Sequence, residues 1–127
     1  MDVVLPEFAV VDDSSLVRRA WGRKNKEKCV IRCFESPESF WSDVEQTPER
    51  LQKYSFVVTD FLFDDESDFN GFEFAVELRK KFSGPILLST SGELTLPEQN
   101  CPIDFMMEKD VFTYAELLEK ISANLKR

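Results

Sequence analysis

Four charged side chains could do chemistry together if the fold brought them to one place: Asp12, Asp13, Asp60 and Lys109. Asp12 and Asp13 stop the apolar run Phe8-Ala9-Val10-Val11, Asp60 stops Phe56-Val57-Val58-Thr59, and Lys109 follows the run Ile103 to Met107. Two carboxylates ~4 Å apart repel by about 4 kcal/mol at an effective dielectric near 20. Three acids together would raise a pKa or recruit a cation. A few hard carboxylate oxygens suit Mg²⁺, which keeps several waters and takes further ligands from phosphate. Lys109 adds an ammonium. A metal ion and an ammonium around one carboxylate form a cradle for a phosphoryl group, and Asp60 could take that group as an acyl phosphate. Thr90, at the end of a further apolar run, would turn its hydroxyl toward the transferring oxygens.

Such a site needs elements that deliver its residues to one edge. The chain alternates short apolar runs with helical patterns. Phe8–Val11, Cys29–Phe34, Phe56–Thr59, Ile86–Thr90 and Ile103–Met107 read as five strands. Between the first two, Ser14 or Ser15 can cap a helix with apolar residues Leu16, Val17, Ala20 and Trp21. Ser36-Pro37 starts a second helix, carrying Phe40, Trp41 and Val44, and Thr47-Pro48 starts a short helical piece over Glu49 to Lys53. Asn70 and Glu73 fit a capping box ahead of Phe74, Ala75, Leu78 and Phe82. Thr113 and Glu116 fit another, for a last helix whose buried face is expected at Tyr114, Leu118, Ile121 and Leu125.

Alternating strands and helices imply an α/β fold with a parallel sheet covered on both faces. Five strands suggest the flavodoxin-like doubly wound order 2-1-3-4-5, with the ligand crevice beyond the strands' C-terminal ends where the order reverses. Asp12, Asp13 and Asp60 flank that point. Thr90 and Lys109 lie on the same edge.

Composition narrows the function. The 127 residues fit one domain, and 43% hydrophobic content is enough for a core. A net charge of −8 repels nucleic acid and anionic membrane, which argues against direct binding of either. No apolar stretch approaches transmembrane length and Met1–Pro6 lacks signal-peptide character. Cys29, Cys33 and Cys101 make a poor disulfide framework, and with no histidine a zinc site is disfavoured. Buried, reduced thiols in a cytoplasmic protein are the expectation.

The chain resembles the receiver domain of two-component response regulators, as a stand-alone single-domain type over 1–127. The matching pieces are Val10-Val11-Asp12-Asp13-Ser14, Val57-Val58-Thr59-Asp60, Asn70-Gly71, Pro85-Ile86-Leu87-Leu88-Ser89-Thr90-Ser91 and Met107-Glu108-Lys109. The resemblance implies that Asp60 is the phosphoacceptor and that Asp13, Asp60 and the Leu62 backbone carbonyl ligate Mg²⁺, with Asp12 acting partly through water. It implies that Lys109 pairs with a phosphoryl oxygen, that Thr90 is the switch hydroxyl, and that Ser91 is the small residue leaving room for donor or water. The chain would be no enzyme beyond catalysing its own phosphorylation and dephosphorylation. Its phosphodonor would be a histidine kinase or a histidine phosphotransfer protein, and it would act on a separate downstream protein.

Three departures from the family pattern stand out. The segment after Asp60 is long and carries the acidic run Asp64-Asp65-Glu66 and Asp68. The stretch from Ser91 to Pro102 contains Pro97, so the helix between strands four and five is expected to be short or degenerate. Met106 occupies the aromatic switch position, three residues before Lys109, while Phe105 should face the opposite side of its strand. These features keep a second function open: a phosphorylation-independent pseudo-receiver that binds partners. A haloacid-dehalogenase-type phosphatase is disfavoured because Leu62 stands where that chemistry needs an acid.

Overall fold

The computed structural model describes residues 5–26, 28–61, 70–90 and 101–125. In chain order the elements are β1 (Glu7–Val11), α1 (Ser15–Lys24), β2 (Val30–Phe34), α2 (Pro37–Gln46), a short 3-10 helix (Pro48–Lys53), β3 (Tyr54–Asp60), α3 (Gly71–Arg79), β4 (Ile86–Thr90), β5 (Phe105–Glu108) and α4 (Tyr114–Leu125). The strands form one parallel sheet in the order β2-β1-β3-β4-β5, the flavodoxin-like order expected from the sequence. The direction of winding reverses between β1 and β3. The segment between β4 and β5, residues 91–100, lies outside the described residues, as does the acidic stretch 62–69. The expectation of a degenerate helix between β4 and β5 falls on the first of these.

Each α-helix begins where a side chain accepts an orphan backbone N–H, whereas Thr47 makes no such bond ahead of the 3-10 helix. Ser14 Oγ accepts from the Val17 N–H, and Ser36 Oγ accepts from Ser39 ahead of Pro37 at the first helical position. Asn70 and Glu73 make both bonds of a capping box. Thr113 and Glu116 make the same reciprocal pair before α4. A cap of this kind is worth about 1 kcal/mol.

The sheet buries a core on each face. One packs Ala9, Val11, Val57 and Leu88 against Phe40 of α2 and Phe74, Ala75 and Leu78 of α3. The other packs Phe8, Val10, Phe56, Val58 and Leu87 against Trp21 of α1 and Leu117 of α4. Alternation along β1 divides its residues between the two cores, as a period of two requires. The tryptophans are divided likewise. Trp21 lies edge-on to Phe8 at 5.9 Å, while Trp41 lies edge-on to Phe40 at 5.2 Å on the opposite face.

Three expectations are corrected. Leu16 is 71% exposed, because the buried stripe of α1 runs through Val17 and Trp21 and one residue back is a turn of about 100°. Leu118 is also exposed; Tyr114, Leu117 and Ile121 form the inner stripe of α4, while the Leu125 side chain lies outside the described residues. The cysteines are free, but only Cys29 is buried. Cys33 is exposed on β2, an edge strand, and Cys101 is half-buried. No helix among the described residues is long and apolar enough to cross a membrane.

Candidate functional site

Strand register assembles the site. Val11 of β1 sits opposite Thr59 of β3, so the next residues, Asp12 and Asp60, adjoin at the C-terminal edge. Asp60 is opposite Ser89 of β4, and the Phe61 N–H donates to the Ser89 carbonyl at 3.0 Å. On the other flank the Asp12 N–H donates to the Phe34 carbonyl of β2 at 3.0 Å. Thr90, half-buried at the end of β4, faces Glu108 of β5, and its carbonyl accepts from the Lys109 N–H at 3.0 Å. The five residues Asp12, Asp13, Asp60, Thr90 and Lys109 thus reach one edge. Two further expected residues, Leu62 and Ser91, lie outside the described residues.

One carboxylate oxygen from each of Asp12, Asp13 and Asp60 lies within 4.8 Å of the others. Asp12 and Asp60 are 3% and 5% exposed, whereas Asp13 opens to solvent. Lys109 Nζ donates to Asp60 Oδ2 at 3.0 Å and lies 3.5 Å from Asp12 Oδ2. Asp12 also accepts from the Ser14 N–H through Oδ1 at 2.9 Å, a local turn that leaves the capping of α1 to Ser14. Its carbonyl accepts from Arg18 Nη1 at 2.8 Å.

The electrostatics follow from burial and neighbours. Burial pushes the Asp60 carboxyl up to about 6; the hydrogen bond from Lys109 opposes this, and Asp12 and Asp13 add to it. Burial works to lower the Lys109 ammonium, but the bond to Asp60 and the Asp12 charge outweigh it, so the net direction is up. Lys109 Nζ reaches two of these carboxylates, Asp60 and Asp12. The three acids offer hard oxygens, with no thiolate or imidazole among them, beside an opening to water at Asp13. This donor set fits Mg²⁺. Asp12, Asp13 and Asp60 are the residues that would hold it.

Gly71 carries a role beyond the cap beside it. It opens α3, its N–H donates to the Phe61 carbonyl at 2.6 Å, and a Cβ there would collide with the carbonyl oxygen of Asp60. Only glycine lets α3 close against the main chain of the buried acid. The Asn70-Gly71 pair signals a helix start in sequence; the close approach is a tertiary fact. Met106 and Phe105 divide as alternation requires: Met106 is half-buried against the α2/α3 core and Phe105 is buried in the α1/α4 core.

No protein-family model matches the chain, and no curated protein sequence matches it significantly. Solved structures do match it in fold. A two-component response regulator from Clostridium difficile superposes with a TM-score of 0.69 at 18% identity, covering 95% of this chain and 96% of that one. The chemotaxis protein CheY4 of Vibrio cholerae gives 0.69 at 17% identity, covering 94% and 98%. The receiver domain of the histidine kinase CKI1 from Arabidopsis thaliana gives 0.67 at 18% identity, covering 93% and 90%. Over almost its whole length the chain has the fold of a response-regulator receiver domain.

Proposed function

We propose that this protein is a phosphoacceptor signalling module of a two-component or phosphorelay system, phosphorylated on Asp60 with Mg²⁺ as cofactor. The observation that carries the proposal is the convergence of three carboxylates and Lys109 at the reversal point of the sheet, with Lys109 Nζ 3.0 Å from Asp60 Oδ2. A bound Mg²⁺ would supply positive charge to the equatorial oxygens of the transferring phosphoryl group.

The chain's own residues divide the remaining work. A carboxylate oxygen of Asp60 attacks phosphorus as the bond from phosphorus to the donor breaks, and the leaving group keeps that electron pair. The donor is phosphohistidine on a histidine kinase or a histidine phosphotransfer protein. Lys109 loses its bond to Asp60 Oδ2 and gains a phosphoryl oxygen in its place. Burial of Asp12 and Asp60 keeps bulk water off the acyl phosphate, and the exposed side at Asp13 leaves the donor a way in. The Thr90 hydroxyl turns toward the new phosphoryl group, and the change reaches a separate downstream protein through surface contacts.

The test is incubation with acetyl phosphate and Mg²⁺, followed by intact mass. Uptake by the parent that is lost in Asp60→Asn and in EDTA supports the reading, and no uptake by the parent overturns it. Met106 favours a second reading, a pseudo-receiver: a thioether half-buried against the α2/α3 core stands at the position of the aromatic switch. Partner binding that is indifferent to Asp60→Asn would favour that reading.

A further inference from the structure

Asn25 is 1% exposed and lies at the C-terminal end of α1. Its side chain is used on three sides. Nδ2 donates to the Trp21 carbonyl at 3.0 Å and to the Phe112 carbonyl at 3.0 Å, and Oδ1 accepts from the Tyr114 N–H at 2.7 Å. Two carbonyls and one N–H fix which way round the amide must sit. The bond to Trp21 is local, whereas the other two reach residues 87 and 89 positions away.

Those two distant groups belong to the segment that follows Lys109. Residues 109–113 are in neither strand nor helix. The segment leaves β5 tied to β4 by the bond from the Lys109 N–H to the Thr90 carbonyl. At its far end the Phe112 carbonyl and the Tyr114 N–H, which opens α4, both end on Asn25. An irregular segment held at both ends has little freedom, and the lysine at its root inherits that restraint. The packing agrees: the Phe112 ring is 6.4 Å from Trp21, in the helix whose C-terminal end Asn25 caps.

We infer that Asn25 is a positioning residue for Lys109: by clamping Phe112 and Tyr114 to the end of α1, it holds the ammonium where a phosphoryl group on Asp60 would need it. This rests on the phosphoacceptor reading above. Asn25 touches neither Asp60 nor the phosphoryl group, so it acts only through the segment it clamps. A displacement on the order of 1 Å in a charged group can cost about a hundredfold in rate, so the expected effect is large for a residue outside the site.

The experiment compares initial rates of Asp60 phosphorylation by acetyl phosphate and Mg²⁺ at a temperature where circular dichroism shows every variant folded. Asn25→Ala is expected to slow the reaction by about ten- to a hundredfold. Ile121→Ala, which trims the same core from α4, is expected to lose thermal stability and keep the parental rate. In a Lys109→Ala background the Asn25→Ala change should cost little further rate, while its cost in thermal stability remains. Should Asn25→Ala fail to fold, the milder Asn25→Ser carries the same comparisons. A parental rate in the Asn25 variants, or an equal loss with and without Lys109, overturns the inference and leaves the phosphoacceptor reading standing. A parent that takes up no phosphoryl group overturns that reading and the inference with it.

Discussion

The acidic and the basic halves of the site are built differently. Asp12 and Asp60 follow or end adjacent parallel strands, and ladder bonds to β2 and β4 fix their main chains on both flanks. Lys109 stands one residue past an edge strand, at the root of a segment with no ladder of its own. The main chains of Asp12 and Asp60 are therefore held by the sheet, with the Ser14 N–H and α3 at Gly71 adding local contacts. The lysine's main chain has one bond to the sheet, at Thr90, and beyond it depends on the clamp of the following segment at Asn25. A site whose acids stand on paired strands can bind a cation without moving its ligands, while the long side chain of Lys109, on a restrained main chain, can follow a new charge.

The contrast can be broken most severely from the acidic side. Gly71→Ala forces a methyl group into the Asp60 carbonyl, and neither the strand nor the helix can yield cheaply. We expect a loss above about 4 kcal/mol in urea unfolding. A mildly affected variant would show that the acidic half is less rigid than its ladders suggest. On the basic side, Lys109→Ala removes the cation that bridges Asp12 and Asp60 but should leave the fold intact, since the strand ladders and the two cores remain. Phosphorylation by acetyl phosphate should slow by about a hundredfold or more, as for removal of one preorganised electrostatic partner. A rate near the parental one would move the neutralising role elsewhere.

A smaller effect should appear with the sign of a gain. The Asp60 carboxyl lies at about 6 in the fold, above its ordinary 3.8. The folded state then holds the proton more tightly than the unfolded chain, so this contribution to stability is fully present below pH 3.8 and is lost as pH rises through about 6. In EDTA at pH 7.5, Asp60→Asn should be more stable than the parent by about 1–3 kcal/mol, and the gap should close near pH 4. Urea titrations at both pH values measure it, and a parent equal to the variant at both would mean that Lys109 already balances the cluster. The smallest expected change is Leu118→Gln on α4, within about 0.5 kcal/mol. A larger loss would show that the helix following the lysine segment rests on a different face.

Local pattern carried most of the fold. The strand runs and the caps at Ser14, Ser36, Asn70 and Thr113 follow from periodicity and capping chemistry within a few residues, and the order of winding from five strands alternating with helices. On α1 the apolar pattern adds Leu16 to the true inward residue Val17; on α4 it points to Leu118, whereas its neighbour Leu117 faces inward. Cys33 was expected inside, but β2 lies at the sheet edge. The acidic half of the site was legible because each acid directly stops an apolar run. Lys109 was legible from its position two residues past the fifth apolar run. Gly71 and Asn25 were not, since the first matters through one carbonyl across a loop and the second through partners 87 and 89 residues away. No short-range pattern marks such contacts.

The two tryptophans have a practical consequence. Trp21 is buried on the α1/α4 face, beside the ring of Phe112, whose carbonyl Asn25 clamps. Trp41 is half-buried on the α2/α3 face, with Lys81 Nζ 5.5 Å over its ring. The protein thus carries an optical reporter on each side of its sheet. With Trp41 replaced by phenylalanine, emission comes from Trp21 alone, and its colour and intensity report on the segment behind Lys109 without any added label.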